Sequence, residues 1–203
     1  MENDLNNKQL QILQVAESLF AEKGFEGTSI RDISKEANIN VAMVSYYFGS
    51  KQKLYDAAIV KQAEAMQDFL ESETDTLDPR EVLRRYAVAM KKIHINNPTI
   101  MKFICREFIE PSDHFNVLLK NLAPRLLTVL SSALNRGMEQ KIFREDLEIN
   151  PTVLLWIGMV NFFYLSHNLH SRVIGPETKE YEDIYLQHAL KIFLSGIERR
   201  PSA

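Results

Sequence analysis

Apolar residues recur every three to four positions along most of the chain, which is the spacing of one face of an α-helix. The first such stretch runs from about Lys8 to Gly24, a residue suited to the end of a helix. Two short amphipathic segments follow, one capped by Thr28 and one over Val41–Phe48, with a tight turn at residues 38–40 between them. This order predicts three helices, of which the second and third form a helix-turn-helix.

The rest of the pattern predicts six further helices, which makes nine for the whole chain. The fourth begins near Lys51, and the polar residues 71–76 mark the end of an N-terminal unit. The sixth, from Thr99 to Ile109, is apolar at seven of eleven positions, so we expect other helices to surround it. Aspartate or asparagine followed by proline begins three of the helices, at residues 78–79, 97–98 and 150–151.

The composition favours the same fold class. Seven glycines and seven prolines among 203 residues are few for the many turns of a β protein. Hydrophobic residues make up 45% and charged residues 25%, as in an ordinary globular protein with a buried core. The sequence therefore predicts an all-α protein with one domain over residues 6–66, which contains the helix-turn-helix at about 29–48, and a second helical domain over residues 67–203.

Several patterns that would indicate other classes of protein do not occur in the sequence. The single cysteine, Cys105, excludes an intrachain disulfide and a thiolate metal cluster. The longest apolar stretch, Val153–Leu165, is shorter than the roughly 20 residues that span a bilayer. His167 and His170 have no neighbouring motif that completes a metal site, and no glycine-rich phosphate loop or catalytic Ser or His-Glu motif is found. We therefore expect a cytoplasmic protein without catalysis, cofactor, metal or membrane partner.

Net charge limits how the chain could bind nucleic acid. The whole chain carries −3, and residues 1–60 contain six lysines and arginines against eight acidic residues. Only the stretch from Val41 to Tyr55 has two lysines and no acid. Binding to DNA would therefore depend on specific contacts from a small surface and not on bulk attraction to phosphate.

One face of the third helix suits the major groove of DNA. On a helical wheel Val44 and Phe48 point inward, and the outward residues are Ala42, Met43, Ser45 and Tyr46. The outward face is uncharged, which suits close backbone approach and contact with thymine methyl groups. The residues placed to hydrogen-bond phosphates are Thr28, Tyr46, Tyr47 and Lys51. The alternative is that the two tyrosines only pack the end of a small helical subdomain.

The N-terminal region resembles the TetR family of transcriptional regulators. The resemblance rests on residues 12–20 (ILQVAESLF) with Gly24-Phe25, residues 28–34 (TSIRDIS) and Ala37, and residues 44–51 (VSYYFGSK) with Leu54-Tyr55. It covers roughly residues 8–60, and the chain length and helix count also resemble that family. The resemblance implies a homodimer, usually a repressor, with an N-terminal DNA-binding domain and a C-terminal domain that binds an inducer.

Carried over position by position, the resemblance assigns two kinds of DNA contact. It implies phosphate contacts from Thr28, Tyr46, Tyr47 and Lys51, and base or groove contacts from Arg31, Val41, Ala42 and Met43. Ser45 lies on the same face, where the family frequently has an aromatic residue. Asn38 stands where a glycine is frequent, and asparagine also adopts the left-handed backbone conformation.

A small, largely apolar ligand that lowers DNA affinity is expected to bind among the helices from about Met66 to Phe163, and the last two helices are expected to form the dimer. The candidate ligand-binding residues are Met66, Met90, His94, Phe103, Glu107 and Asn161. The candidate dimer-interface residues are Trp156, Phe162, Phe163, Tyr185 and Phe193, because the last two helices carry more apolar surface than one core can cover. Two recognition helices would then meet a pseudo-palindromic duplex operator.

A second class of function is compatible with the same nine helices. A helical protein that holds a lipid or another apolar molecule, without binding DNA, would account for the low net charge. The cluster of Thr28, Tyr46, Tyr47 and Lys51 favours the regulator, because a pure lipid carrier has no use for such a cluster.

Overall fold

The computed structural model describes residues 2–72, 74–96, 113–166, 170, 172–173, 175 and 179–199. Eight α-helices and one short 3-10 helix are delimited within these residues, which confirms the all-α fold class. They are α1 (Glu2–Lys23), α2 (Ile30–Glu36), α3 (Val41–Phe48), α4 (Lys51–Glu71), the 3-10 helix (Thr74–Thr76), α5 (Pro79–Asn96), α6 (Asp113–Glu139), α7 (Ile149–Leu165) and α8 (Lys179–Ile197). The predicted helix from Thr99 to Ile109 lies outside the described residues.

The chain forms two compact units. The N-terminal unit comprises residues 1–64 and 96–120, and the C-terminal unit comprises residues 65–95 and 121–203. The first division falls beside the predicted boundary between residues 66 and 67, and the predicted domain limits stay a prediction. Among the described residues, no helix has both the length and the apolar character that crossing a bilayer requires.

Side-chain caps fix the ends of the two helices of the helix-turn-helix. Ser29 begins α2: its hydroxyl accepts from the Asp32 amide at 3.1 Å, and the Asp32 carboxylate accepts from the Ser29 amide at 3.0 Å. Asn40 begins α3, since its side-chain oxygen accepts from the Ala42 amide at 2.8 Å. Gly49 ends α3 with a φ of 75°, a conformation that costs glycine little.

The turn between α2 and α3 has Asn38 at its centre, with a φ of 51°. The Asn38 amide donates to the Lys35 carbonyl at 3.1 Å, and the Ile39 amide donates to the Ser34 carbonyl at 2.9 Å. These two bonds define a Schellman motif, which closes a helix through one left-handed residue. From α1, the Gln11 side-chain amide donates to the Ala37 carbonyl at 3.0 Å and ties the turn to the first helix.

One apolar core holds the first four helices of the N-terminal unit together. Its buried members include Ile12, Ala16, Phe20, Ile33, Val44, Phe48 and Leu54. Tyr55 packs edge-on against Phe20 and Phe25, at ring-centroid distances of 4.8 and 4.9 Å. The burial of Val44 and Phe48 confirms the inward side that the helical wheel gives for α3.

In the C-terminal unit, α7 packs against both α5 and α8. The Trp156 ring lies 4.9 Å from that of Phe193, and the Phe163 ring lies 4.7 Å from that of Tyr185. Towards α5, the Asn161 side-chain amide donates to the Tyr86 hydroxyl at 2.9 Å. Aromatic side chains thus take part in the contacts of α7 with both neighbouring helices.

A second Schellman motif ends α6. The Lys141 amide donates to the Met138 carbonyl at 2.9 Å, the Ile142 amide donates to the Gly137 carbonyl at 2.8 Å, and Lys141 has a φ of 59°. The chain then turns back, so that the buried ring of Phe143 lies on the α-carbon of Gly137. Any β-carbon at position 137 would overlap that ring, which explains the glycine inside the last turn of α6.

Candidate nucleic-acid interface

The exposed side of α3 carries the residues that the sequence predicts to read DNA. Ala42 and Ser45 are exposed, Met43 is half-buried, and Tyr46 is 80% exposed. An aromatic side chain of this size that lies so far outside the core favours a role in contact with another molecule.

Two further predicted contacts are also exposed. Val41, the first residue of α3, is exposed, and Arg31 is exposed on the first turn of α2. Asp32 is the neighbour of Arg31, and its pKa is lowered, mainly by the hydrogen bond from the Ser29 side chain. The Asp32 carboxylate is thus committed to capping α2, and Arg31 supplies a cation at the start of that helix.

Tyr46 and Tyr47 form an edge-on pair at the end of α3, with ring centroids 5.4 Å apart. Their environments differ, because Tyr47 is half-buried and packs against the apolar core of the N-terminal unit. Its hydroxyl is enclosed by protein atoms without a hydrogen-bond partner. Tyr46 is therefore the more accessible of the two, and the predicted phosphate contact of Tyr47 stays a prediction.

The predicted roles of the Thr28 side chain, a phosphate contact and the cap of α2, are wrong. Its side chain is 1% exposed, and its hydroxyl lies 2.8 Å from the Gly24 carbonyl and 3.2 Å from the Leu19 carbonyl, to which it donates. The hydroxyl is thus used inside the loop between α1 and α2, and neither caps α2 nor faces outward. Ser29, one residue later, is the N-cap of α2.

Lys51 lies in the first turn of α4, as the sequence predicts, but its ammonium group is bound within the protein. The Nζ atom donates to the Phe25 carbonyl at 2.9 Å and lies 4.1 Å from the centre of the Phe25 ring. A lysine ammonium has three donors, so this geometry leaves N–H groups for an anion. Ser50 caps the same helix through a 3.2 Å bond from the Lys53 amide to the Ser50 hydroxyl.

Some of the candidate ligand-binding residues lie within the described part of the chain and two do not. Phe103 and Glu107 lie outside it. Met66 is half-buried and Met90 is buried, whereas Asn161 is held by the Tyr86 hydroxyl and by the Ile157 carbonyl at 2.8 Å. The bond to Tyr86 places Asn161 on the side of α7 that faces α5, and Met90 lies four residues after Tyr86 on the same side of α5.

His94 is buried at the C-terminal end of α5, and its ring stacks on Tyr164 of α7 at 3.6 Å. Burial lowers the pKa of His94 to about 4, so the imidazole is neutral at pH 7. The Tyr164 hydroxyl donates to a Glu182 carboxylate oxygen at 2.8 Å, and Lys91 forms ion pairs with Glu182 and Asp183. Tyr164 thus joins the buried His94 ring to a charged cluster of Lys91 on α5 with Glu182 and Asp183 on α8.

The predicted dimer-interface residues separate into two groups. Trp156 is fully buried at 0% exposure, and Phe163 and Phe193 are also buried, so these three are core residues of one protomer and not contacts between protomers. Phe162 is 55% exposed, and Tyr185 is half-buried with its hydroxyl donating to the Met159 carbonyl at 2.8 Å. The prediction for the three buried rings was wrong because α7 and α8 use that side of each helix to pack on one another.

Sequence reasoning missed Tyr86, Tyr164 and Gln11. Tyr86 lies eight residues before His94, and Tyr164 lies three residues after Asn161, so helical spacing alone would have placed both tyrosines beside predicted ligand-binding residues. Nothing in the local sequence indicates the contact of Gln11, because its partner at Ala37 is 26 positions away.

Comparison with known proteins supports the assignment of α2 and α3 as a DNA-binding helix-turn-helix. Residues 12–58 match the family described as "Bacterial regulatory proteins, tetR family", and residues 79–185 match "Tetracyclin repressor-like, C-terminal domain". The chain is similar to the HTH-type transcriptional repressor NicS of Pseudomonas putida, with 29% identity over 93% of this chain and 91% of that protein. It is also similar to the probable HTH-type transcriptional regulator YttP of Bacillus subtilis, with 28% identity over 93% of each chain.

Among solved structures, the chain resembles that of HlyIIR, described as a hemolysin II transcriptional regulator. The TM-score is 0.69 at 27% identity, over 97% of this chain and 99% of that one. The fold and the exposed third helix define a helix-turn-helix DNA-binding regulator. The matches to both halves show that the chain belongs to the TetR family.

Proposed function

We propose that this TetR-family regulator is a cytoplasmic repressor that binds a pseudo-palindromic operator as a homodimer and is released by a small ligand. The observation that carries the proposal is the exposed, uncharged face of α3, which consists of Val41, Ala42, Met43, Ser45 and Tyr46. Side-chain caps begin both α2 and α3, and one apolar core holds these helices on α1. The relatives NicS and HlyIIR are named as a repressor and a regulator, which supports this reading over a lipid carrier.

The contacts from α3 are uncharged, and the predicted interface has two cations, Arg31 on α2 and Lys51 on α4, so its dependence on salt should be shallow. Lys51 is the cation that the proposal assigns to a phosphate, and Tyr46 supplies a second phosphate contact. Lys51→Ala is expected to weaken binding to all sequences alike and to lower the slope of log affinity against log salt by about one unit. Changes at Ala42 or Met43 are expected to alter which sequence is preferred.

The test is titration of the purified protein with the DNA upstream of its own gene and with a scrambled duplex, by fluorescence anisotropy at several salt concentrations. Lys191→Ala, which removes an exposed lysine from α8 in the other unit, is the matched control and should leave the slope unchanged. If Tyr46→Ala combined with Lys51→Ala leaves operator affinity unchanged, the interface assigned to α3 is wrong.

Exposed apolar residues on α7 and α8 support the homodimer. On α7, Leu155, Phe162 and Leu165 are exposed at helical spacing, and on α8 Ile184 and Ile192 are exposed. These residues lie on other sides of the helices from the buried rings that join α7 to α8. A second copy would cover both sets through a two-fold axis, the commonest symmetry of protein dimers.

Sedimentation at micromolar concentration tests the dimer. Leu155→Asp combined with Phe162→Asp is expected to give a folded monomer. Burying the two new carboxylates in the interface would cost more free energy than the remaining apolar contacts supply. Val88→Asp, which charges an exposed apolar position of α5, is the matched control and should stay dimeric. A monomeric wild-type protein would contradict the proposal.

A further inference from the structure

The ammonium group of Lys51 is held by two neutral groups that belong to one residue. Its Nζ atom donates to the Phe25 carbonyl at 2.9 Å and lies 4.1 Å from the centre of the Phe25 ring. Phe25 lies 26 positions earlier, in the loop between α1 and α2. A carbonyl oxygen and the face of an aromatic ring both carry partial negative charge, so both attract an ammonium without neutralising it.

Other lysines of the described chain are paired in a different way. Lys61, on the same helix, forms an ion pair with Glu17 at 3.7 Å, and Lys91 forms one with Glu182 at 3.9 Å. A carboxylate partner cancels most of the field that a lysine exerts at a distance. Within the described residues no carboxylate forms an ion pair with Lys51, so its ammonium group is oriented and still carries its full charge.

The loop that carries Phe25 is fixed by its own contacts. The Thr28 amide donates to the Phe25 carbonyl at 3.3 Å, and the Thr28 hydroxyl donates to the Gly24 carbonyl at 2.8 Å. The half-buried Phe25 ring packs edge-on against the buried Tyr55, with ring centroids 4.9 Å apart. The carbonyl and the ring therefore have defined positions that do not depend on Lys51.

An oriented lysine binds a phosphate more tightly than a free one. A lysine side chain has many rotamers, and holding it on a phosphate reduces their number at a cost in binding free energy. The contacts with Phe25 fix the end of the Lys51 side chain during folding, so less of this cost remains when DNA binds. Such a partner raises the affinity of a lysine for an anion without contacting the anion.

We propose that Phe25 is a positioning residue for DNA binding, whose carbonyl and ring orient the ammonium group of Lys51 for a phosphate and leave its charge uncompensated. The inference rests on the proposed function, because it requires that Lys51 contacts a phosphate. It extends the interface to a residue of the loop between α1 and α2 that acts only through Lys51.

A double-mutant cycle on the full-length protein tests the inference, with operator affinity measured by fluorescence anisotropy at one salt concentration. Phe25→Leu keeps an apolar side chain beside Tyr55 but removes the ring face. It should weaken operator binding about two- to tenfold, the factor that corresponds to immobilising one long side chain. Lys51→Met removes the ammonium group and keeps the length of the side chain. In the Lys51→Met background, Phe25→Leu should have no further effect, because the group on which Phe25 acts is absent.

Phe20→Leu is the matched control, because it makes the same change in a core ring that lies 6.2 Å from the Phe25 ring. Its effect on operator affinity should be the same in both backgrounds. Equal effects of Phe25→Leu in both backgrounds would overturn the inference, because they would show that Phe25 acts only through packing. A Lys51→Met protein that binds the operator as tightly as the wild type would instead contradict the phosphate contact in the proposed function.

An NMR measurement on the protein without DNA tests the geometry by itself. Protons above the face of an aromatic ring are shifted upfield, so the ε-methylene protons of Lys51 should resonate upfield of those of Lys53, an exposed lysine on the same helix. Phe25→Leu should abolish this shift, and Phe20→Leu should retain it. Resonances of Lys51 that coincide with those of Lys53 in the wild type would also overturn the inference.

Discussion

The N-terminal and C-terminal units both end a helix with a Schellman motif, but they fill its left-handed position differently. After α2 the position is Asn38, a residue type that tolerates a positive φ, and after α6 it is Lys141, which does not. The N-terminal turn leads within two residues to the cap of α3, so strain there would displace the DNA-reading helix. The C-terminal turn leads to Phe143, whose burial against Gly137 holds it in place. The comparison shows local sequence defining one turn and tertiary packing defining the other.

The largest expected effect tests the dependence of the C-terminal turn on packing. Gly137→Ala places a methyl group in the ring of Phe143, and we expect a loss of roughly 2–3 kcal/mol in the free energy of unfolding, measured by urea denaturation. Gly196→Ala is the matched control, because nothing lies near its β-carbon position, and it should gain about 0.5 kcal/mol. Equal stability of the two variants would show that Phe143 does not determine the turn.

A smaller effect tests the N-terminal turn. Asn38→Ala is expected to cost about 1 kcal/mol, because alanine is strained at a φ of 51°. Operator affinity should fall with it, since the turn positions α3. Asn38→Gly relieves the strain and should restore both stability and affinity in the same urea and anisotropy measurements. A fully stable Asn38→Ala protein would mean that the turn does not need a left-handed residue.

A substitution at the left-handed position of the C-terminal turn is expected to raise the free energy of unfolding. Lys141→Gly removes a strained residue and is expected to gain about 0.5 kcal/mol, after the greater freedom of glycine in the unfolded chain is taken into account. The melting temperature should rise and operator affinity should stay unchanged. A lower melting temperature would show that the lysine side chain contributes more than its backbone strain costs.

The smallest effect concerns the cap of α2. Hydrogen bonds from Ser29 lower the pKa of Asp32 below its ordinary value of 3.8. Because the folded pKa is the lower one, the stabilisation is complete well above pH 3.8 and is lost as the pH falls through the folded pKa. In an NMR titration of the Asp32 carboxyl group, Ser29→Ala should raise the midpoint towards 3.8, whereas Ser45→Ala should leave it unchanged. An unchanged midpoint in Ser29→Ala would contradict the capping box.

The sequence predicts the N-terminal unit better than the C-terminal one, for a physical reason. Asn40, Gly49 and the inward side of α3 are determined within a few residues by caps and periodicity, and the structure confirms them. The inward side of α7 cannot be obtained in this way, because α7 is apolar on most sides and only its partners decide that Trp156 is buried and Phe162 exposed. The prediction for Thr28 was wrong because tertiary contacts decide its role: its hydroxyl donates to the Leu19 carbonyl of α1 and to the Gly24 carbonyl of the following loop.

The outward residues of α3 take almost no part in folding the unit that carries them. Ala42, Ser45 and Tyr46 lie outside the core, while Val44 and Phe48 hold the helix in place. Substitutions at the outward positions are therefore expected to change the contact surface with little loss of stability. Duplicated copies of such a gene could diverge towards new operators by single substitutions, with the fold preserved at every step.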